Sequence, residues 1–289
     1  MSVIKAAIVL IVLAVLAALP ATPLPASAAG SSEPGLREWY LPNGIATKRS
    51  TTPETAVYDV TGYAQEWIHV QSLSNQDANV TLTFYKESEP PATTTLVVPA
   101  WRQKELFLAE GQLHGLVNVN QLYGLKFSSD QNVVVQVTRH ESEANVEIPS
   151  NHLQSNIGYP GPLGDREKHW LYVNCWSLTS DPTWIEREWL NVLNPTSSPA
   201  DVTVTFLAKN TGKRTQHHMK VPAERIATVS FVTLSPEIYR ERTVYGVLVE
   251  STTPVVPMQI RRFFHAKNQS PRGMIGIIAF PLGDTPTGP

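Results

Sequence analysis

Gln136 and Arg139 are the residues of this chain best suited to holding a polar ligand. They stand three apart in the run from Val133 to Arg139. Side chains alternate between the faces of a strand, so these two point to opposite sides and cannot line one pocket. Arg139 shares its face with Val133, Val135 and Val137 and is expected at the rim of that apolar face. A guanidinium there presents a fork of donors to a carboxylate or a sugar hydroxyl. The same group could instead pair with Glu66 or Glu141 and close the end of the fold. Glu66-Trp67 and its echo Glu188-Trp189 join a carboxylate, which accepts sugar hydroxyls, to an indole that stacks on a sugar ring when exposed. A repeated Trp at the start of a strand is more often a core anchor. Trp101, beside Arg102, interrupts a polar position and is expected at the surface.

Catalysis finds no such footing. There is no Gly-x-Ser-x-Gly elbow, phosphate-cradling glycine loop or His-Glu-x-x-His helix. Asp181 with Glu186 or Glu188 could imitate a glycosidase pair, but such a pair needs a fixed separation in a cleft. His217 and His218 are neighbours on a strand and face opposite ways, so one metal ion cannot readily use both. No enzyme, metal or cofactor is expected.

These residues belong to a domain that the chain carries twice. The segment from Glu66 to Phe84 returns as Glu188 to Phe206, at an offset of 122 residues (189 − 67). Val98-Pro99-Ala100-x-Arg102 returns as Val221-Pro222-Ala223-x-Arg225, Tyr123-Gly124 as Tyr245-Gly246, and Pro162-Leu163-Gly164-Asp165 as Pro281-Leu282-Gly283-Asp284. Upstream, Trp39 is faintly matched by Trp170. That period is domain-sized rather than a solenoid unit. Val80, Leu82 and Phe84 alternate with Thr81, Thr83 and Tyr85, and Val202, Val204 and Phe206 do the same, the pattern of half-buried strands. Further strands are expected at 67–71, 94–98, 104–108, 124–127 and 133–139, and at 189–193, 217–221, 227–231, 246–250 and 255–262. One helical turn is expected at Pro236–Arg240. The fold class is therefore all-β: two tandem antiparallel β-sandwich domains, jelly-roll-like, over residues 35–165 and 166–284, with a tail at 285–289.

Pairing the copies raises one ambiguity. Without a gap, Arg261 matches Arg139 but Met258 falls where Gln136 stands. Sliding by one residue matches Gln259 with Gln136 and Arg262 with Arg139, and Pro257 could mark the bulge that such a slide needs. The slide is the expectation here, and it would give the second copy a polar pair of its own.

Lys5, the uncharged apolar run Ala6–Leu19 and Ala26-Ser27-Ala28 have the layout of a secretory signal peptide over residues 1–28. The run is shorter than the ~20 residues that span a bilayer, so the mature chain is expected outside the cytoplasm without a membrane span. Lys plus Arg is 23 and Asp plus Glu is 25, a near-neutral balance that gives no electrostatic case for nucleic acid. The only cysteine, Cys175, cannot form an internal disulfide.

The order of these motifs resembles the sensory rhodopsin transducer family. Trp39-x-x-Pro42-Asn43-Gly44 fits its opening turn, and Trp67 through Tyr85 fits its alternating strand. Val98-Pro99-Ala100-Trp101-Arg102 and the strand from Ser128-Ser129 to Gln136-Val137-Thr138-Arg139 fit its later elements. The match covers most of residues 36–165 and, more loosely, 167–284. The family's founding member is a soluble cyanobacterial partner of a photoreceptor. The resemblance implies small all-β domains that bind partners or small molecules. Two functions are expected on this basis. One is an exported, non-catalytic binder of a small polar ligand, a sugar among the options. The other is a structural or protein-interaction module whose two domains form a pseudo-dimer, with further oligomerisation open. A cytoplasmic photoreceptor partner does not suit an exported chain.

Overall fold

The computed structural model describes residues 37–46, 63–108, 115–118, 121–142, 151–176, 184–209, 211–234, 244–265 and 271–282. The segment read as a signal peptide, Asp181, the turn expected at Pro236–Arg240 and the tail lie outside them. Among the described residues no helix is long and apolar enough to cross a membrane.

The first copy runs through β1 (Glu38–Ala46), β2 (Tyr63–Ser72), β3 (Ala78–Lys86), β4 (Ala92–Val98), β5 (Gln103–Phe107), β6 (Gln121–Ser129), β7 (Val133–Ser142), β8 (Asn151–Ile157) and β9 (Tyr159–Pro160). These make a five-stranded sheet, β4-β3-β6-β1-β9, and a four-stranded sheet, β5-β2-β7-β8. A 3-10 turn, Asp165–Lys168, leads to the second copy. That copy comprises β10 (His169–Trp176), β11 (Trp184–Asn194), β12 (Ala200–Ala208), β13 (Arg214–Val221), β14 (Arg225–Ser230), α1 (Phe231–Leu234), β15 (Val244–Ser251), β16 (Val256–His265), β17 (Pro271–Ile278) and β18 (Phe280–Pro281). Its sheets, β13-β12-β15-β10-β18 and β14-β11-β16-β17, repeat the first pair strand for strand. All described pairings are antiparallel, and both copies shift register at the same place, between Leu41 and Gly44 in β1 and between Tyr172 and Cys175 in β10.

Alternation places the core as the sequence implies. Val80, Leu82 and Phe84 are buried between the sheets of the first copy, as Val202, Val204 and Phe206 are in the second. Thr81, Thr83 and Thr203 are only partly covered on the opposite face. The second copy departs from expectation at β16. Its pairing with β11 is unbroken from Glu188 opposite Arg261 to Leu193 opposite Val256. Pro257 lies one residue beyond the last pair with β17, so its missing N–H disturbs no rung there and no bulge forms. The slide is therefore wrong: Arg261 stands where Arg139 stands, and Met258 takes the place of Gln136.

That replacement has a structural cause. Glu188, Leu190 and Val192 face the interior of the second sandwich, so Trp189, Asn191 and Leu193 face outward. Outward here means onto the first copy. Asn191 donates Nδ2–H to the carbonyl of Pro42 at 2.9 Å. A Cβ on Gly124 would meet Leu193 Cδ1 at 2.8 Å, so the glycine makes room for that leucine. Trp189, Leu193, Met258 and Ile260 join one apolar cluster with Tyr40, Tyr85 and Leu122 of the first copy. The outer face of the second four-stranded sheet is thus packed on the outer face of the first five-stranded sheet.

Phe84→Ala and Phe206→Ala should each lower stability by about 3–5 kcal/mol, the usual loss for truncating a buried Phe. Urea unfolding checks this, and an unmoved midpoint for either would place that ring outside the core.

Candidate functional site

Glu66 and Arg139 are directly opposite each other on β2 and β7, on the faces that look into the sandwich. Both are buried, Glu66 at 1% exposure and Arg139 at 3%. Arg139 donates Nε–H to Glu66 Oε1 at 2.5 Å, and its Nη2 pairs with the same oxygen. From the other sheet, Tyr123 on β6 donates its hydroxyl to Glu66 Oε2. Arg139 also reaches β1, where Nη2 donates to the Asn43 carbonyl at 2.6 Å and Nη1 to Asn43 Oδ1 at 3.4 Å. The group ties the two sheets together. A Cβ on Gly44 would fall 1.9 Å from the Tyr123 ring, so the glycine lets that ring lie flat on its way to Glu66.

The second copy rebuilds the same group. Arg261 donates Nε–H to Glu188 Oε1 at 2.7 Å, and Tyr245 donates its hydroxyl to Glu188 Oε2. Gln259 stands where the first copy has Val137. Its Nε2–H reaches Glu188 Oε1 at 2.6 Å, and its Oε1 lies 3.5 Å from the Cys175 thiol. Cys175 occupies the position of Gly44.

Desolvating two charges costs several kcal/mol per ion, and their attraction repays this only with good geometry and satisfied oxygens. Both carboxylate oxygens of Glu66 and of Glu188 are satisfied here. Burial, followed by the nearby Glu66 charge, pushes the Tyr123 hydroxyl well above its ordinary pKa. It therefore stays protonated and serves as donor.

Arg139 accordingly lies in the interior and not at a rim, because β7 continues past it to Ser142. Its partner is Glu66; the Glu141 side chain lies outside the described residues. Gln136 lies on the opposite, exposed face and donates to Ser155 Oγ. The structure therefore brings Arg139 to Glu66 and Arg261 to Glu188 and Gln259, and it separates Gln136 from Arg139. The Arg262 side chain lies outside the described residues. Trp67, expected as a core anchor, instead sits part-exposed on the outer face beside Phe107, with ring centroids 5.0 Å apart. Its echo Trp189 is buried, in one apolar cluster with residues of the first copy.

Trp101 and Arg102 do meet at the surface. Arg102 N–H closes a turn onto the Pro99 carbonyl at 3.0 Å, with Trp101 at φ 56° and 65% exposed. Glu224 takes the same left-handed position in the second copy, at φ 54°. His217 and His218 point to opposite faces, and no group of three metal-ligating side chains occurs among the described residues. A third buried carboxylate, Glu167, lies at the junction of the copies. It accepts from the Tyr159 hydroxyl at 2.8 Å, the Gly164 N–H at 2.7 Å and Arg166 Nε at 2.5 Å.

Sequence reasoning missed Tyr123, Tyr245 and Asn43 as partners of the ion pairs. The signal was present in the Tyr-Gly echo at 123 and 245. It was also present in Asn174, which holds the position of Asn43 when β10 is laid on β1.

The family model described as Anabaena sensory rhodopsin transducer matches residues 34–160 and again 168–281. The chain belongs to this transducer family. It carries two tandem copies of the family's domain, each a small β module. Among solved structures, the Thermotoga maritima 1070 protein is 18% identical and is covered over 94% of its length by 43% of this chain, with a TM-score of 0.34. The Anabaena sensory rhodopsin transducer is 22% identical, covered over 97% of its length by 36% of this chain, with a TM-score of 0.29. A Bacteroides uniformis β-glucuronidase overlaps 75% of this chain with 24% of its own at 7% identity and a TM-score of 0.15. No curated protein matches the chain.

Because each charged partner is buried, Arg139→Ala should destabilise by about 3–5 kcal/mol, and Arg261→Ala similarly. Urea unfolding of both variants measures it. The raised Tyr123 pKa also fixes a pH dependence. The folded-state value lies above the unfolded one, so its contribution is full below about pH 10 and is lost as pH climbs toward the folded value. Stability should fall above about pH 10 by about 1.4 kcal/mol per unit for this residue, and Tyr123→Phe should flatten that slope in alkaline unfolding titrations.

Proposed function

We propose that this protein is an exported, non-catalytic interaction module of transducer type, in which duplication supplies a joined pair of sandwiches and not two ligand pockets. One observation carries the reading. The carboxylate–guanidinium pairs that could have received a polar ligand, Glu66–Arg139 and Glu188–Arg261, are satisfied inside the fold in both copies. What remains for recognition is sheet surface, which suits protein contact. The matched family is named for a transducer, and transduction works through such contact. The sequence of residues 1–28, with its short apolar run and Ala26-Ser27-Ala28, supports export.

A second reading has one specific observation in its favour. The exposed Trp101, held in a left-handed turn beside the exposed Arg102, offers a stacking plane and a donor fork to a small polar ligand such as a sugar.

A thermal-shift screen of sugars and organic acids separates the two. The interaction reading expects no compound to raise the melting temperature. A compound whose shift vanishes in Trp101→Ala would establish the ligand reading in its place. Mass spectrometry of the exported protein should find an amino terminus near Ala29, and an intact Met1 would contradict export.

A further inference from the structure

We propose that the free edge of β4, with the Trp101 turn that follows it, takes up an extended, uncharged segment of a partner protein by strand addition. This rests on the interaction reading above and gives it a place and a kind of partner.

An edge strand leaves every second N–H and C=O unpaired, a ready template for another strand. Folded proteins guard such edges with charge, proline or shortness. Most edges here are guarded. β9 and β18 are two residues long and each contains a proline. β5, β8, β13, β14 and β17 each carry an ionisable side chain, from Arg225 alone in β14 to Arg214, His217, His218 and Lys220 in β13. β4, Ala-Thr-Thr-Thr-Leu-Val-Val, has no ionisable residue, no proline and no glycine. It ends its sheet, and among the described residues it pairs with β3 alone.

The two copies supply the comparison. Thr95 lies opposite Thr81 as His218 lies opposite Thr203, and Val97 lies opposite Asn79 as Lys220 lies opposite Asp201. Past the shared Val-Pro-Ala, Trp101 corresponds to Glu224. In the second copy this rim is charged and polar. Lys220 approaches Asp201 at 4.0 Å, and His218 is hydrogen-bonded to Thr203 at 3.0 Å. In the first copy it is Thr93, Thr95 and Val97, all exposed, Val97 at 50%. The same fold accepts charge on this rim, so packing does not require the uncharged one.

The turn extends the rim. Trp101 N–H bonds to the Ser74 carbonyl at 3.0 Å, beside the exposed Leu73. Glu224 shows that the turn itself imposes the left-handed backbone. What is particular to the first copy is a large ring held there in solvent. The occupant follows from these features. Main-chain hydrogen bonds to β4 require an extended chain, whose alternate side chains lie beside Thr93, Thr95 and Val97. A charge set there would lose water with no opposite charge along β4. The central residues of the segment are therefore uncharged, with β-branched side chains to match Thr and Val across the pair and an apolar one to meet Trp101.

Selection of a random linear peptide library on the immobilised exported chain tests this, with each recovered peptide measured by fluorescence anisotropy. The peptides should alternate β-branched residues without central charge and should compete with one another. Val97→Lys and Trp101→Glu write the second copy's residues into the first, so circular dichroism and melting should not change. Each should weaken binding by about tenfold or more. N-methylating one alternate set of a peptide's amides should abolish binding, and methylating the other set should not. Lys220→Val with His218→Thr should add a second site on β13. A concentration-dependent dimer that Val97→Lys dissolves would give the edge to a second chain and overturn the proposal. So would peptides that bind Val97→Lys as tightly as wild type, or a selection that yields none. Either result leaves the interaction reading standing, because that reading falls only to a small compound that raises the melting temperature.

Discussion

The buried Glu–Arg–Tyr group is the constraint on which the rest of each sandwich depends. Glu66 and Arg139 come from one sheet, and Tyr123 and Asn43 from the other. A charge buried without its partner costs far more than the pair contributes, so the group permits one register and one sheet spacing. Slipping β2 by one residue would turn Glu66 outward and leave Arg139 uncompensated. The same logic fixes Gly44 beneath the Tyr123 ring. The second copy keeps the group and extends it through Gln259, so the arrangement belongs to the domain and not to one copy.

Apart from Gln259 for Val137 and Cys175 for Gly44, the two copies agree where they face inward, and they differ more where they face outward. Inward, Val80, Leu82 and Phe84 answer Val202, Val204 and Phe206, and the ion pairs coincide. Outward, the difference follows coverage. Leu193, Met258 and Ile260 are buried in a cluster shared with the first copy, and Gln71, Gln136 and Thr138 hold the same positions in the first copy part-exposed or exposed. Glu167, buried at the junction with Tyr159 and Gly164, fixes the path from one sandwich to the next. Duplication has thus been followed by specialisation of two outer faces while the interiors stayed under the same constraint.

Much of this was legible in the sequence. The strand from Asn79 to Tyr85 shows strict alternation, and its burial follows from that alone. The tandem copies were visible from the echo of Glu66-Trp67. Arg139 was misplaced because a run of valines reveals which face a residue shares but not where the strand ends, and β7 runs three residues further. The slide at Pro257 favoured matching residue identities over unbroken pairing; Met258 is explained only by a surface in the other copy, which no local pattern encodes. Trp67 and Trp189 look alike in sequence, yet one is part-exposed and the other covered by a contact between copies. β1 and β10 were not anticipated as strands, because Trp39 to Ala46 lacks clean alternation and bulges between Leu41 and Gly44.

The most direct test of the account is a double-mutant cycle between Glu66 and Arg139, using Glu66→Leu, Arg139→Met and the double variant, each unfolded in urea. If the pair is a buried structural unit, the double variant should be less unstable than the sum of the singles, with a coupling of about 1–3 kcal/mol. Additivity within about 0.5 kcal/mol would show that the two groups do not depend on each other, and the account of what holds the sandwich together would fail.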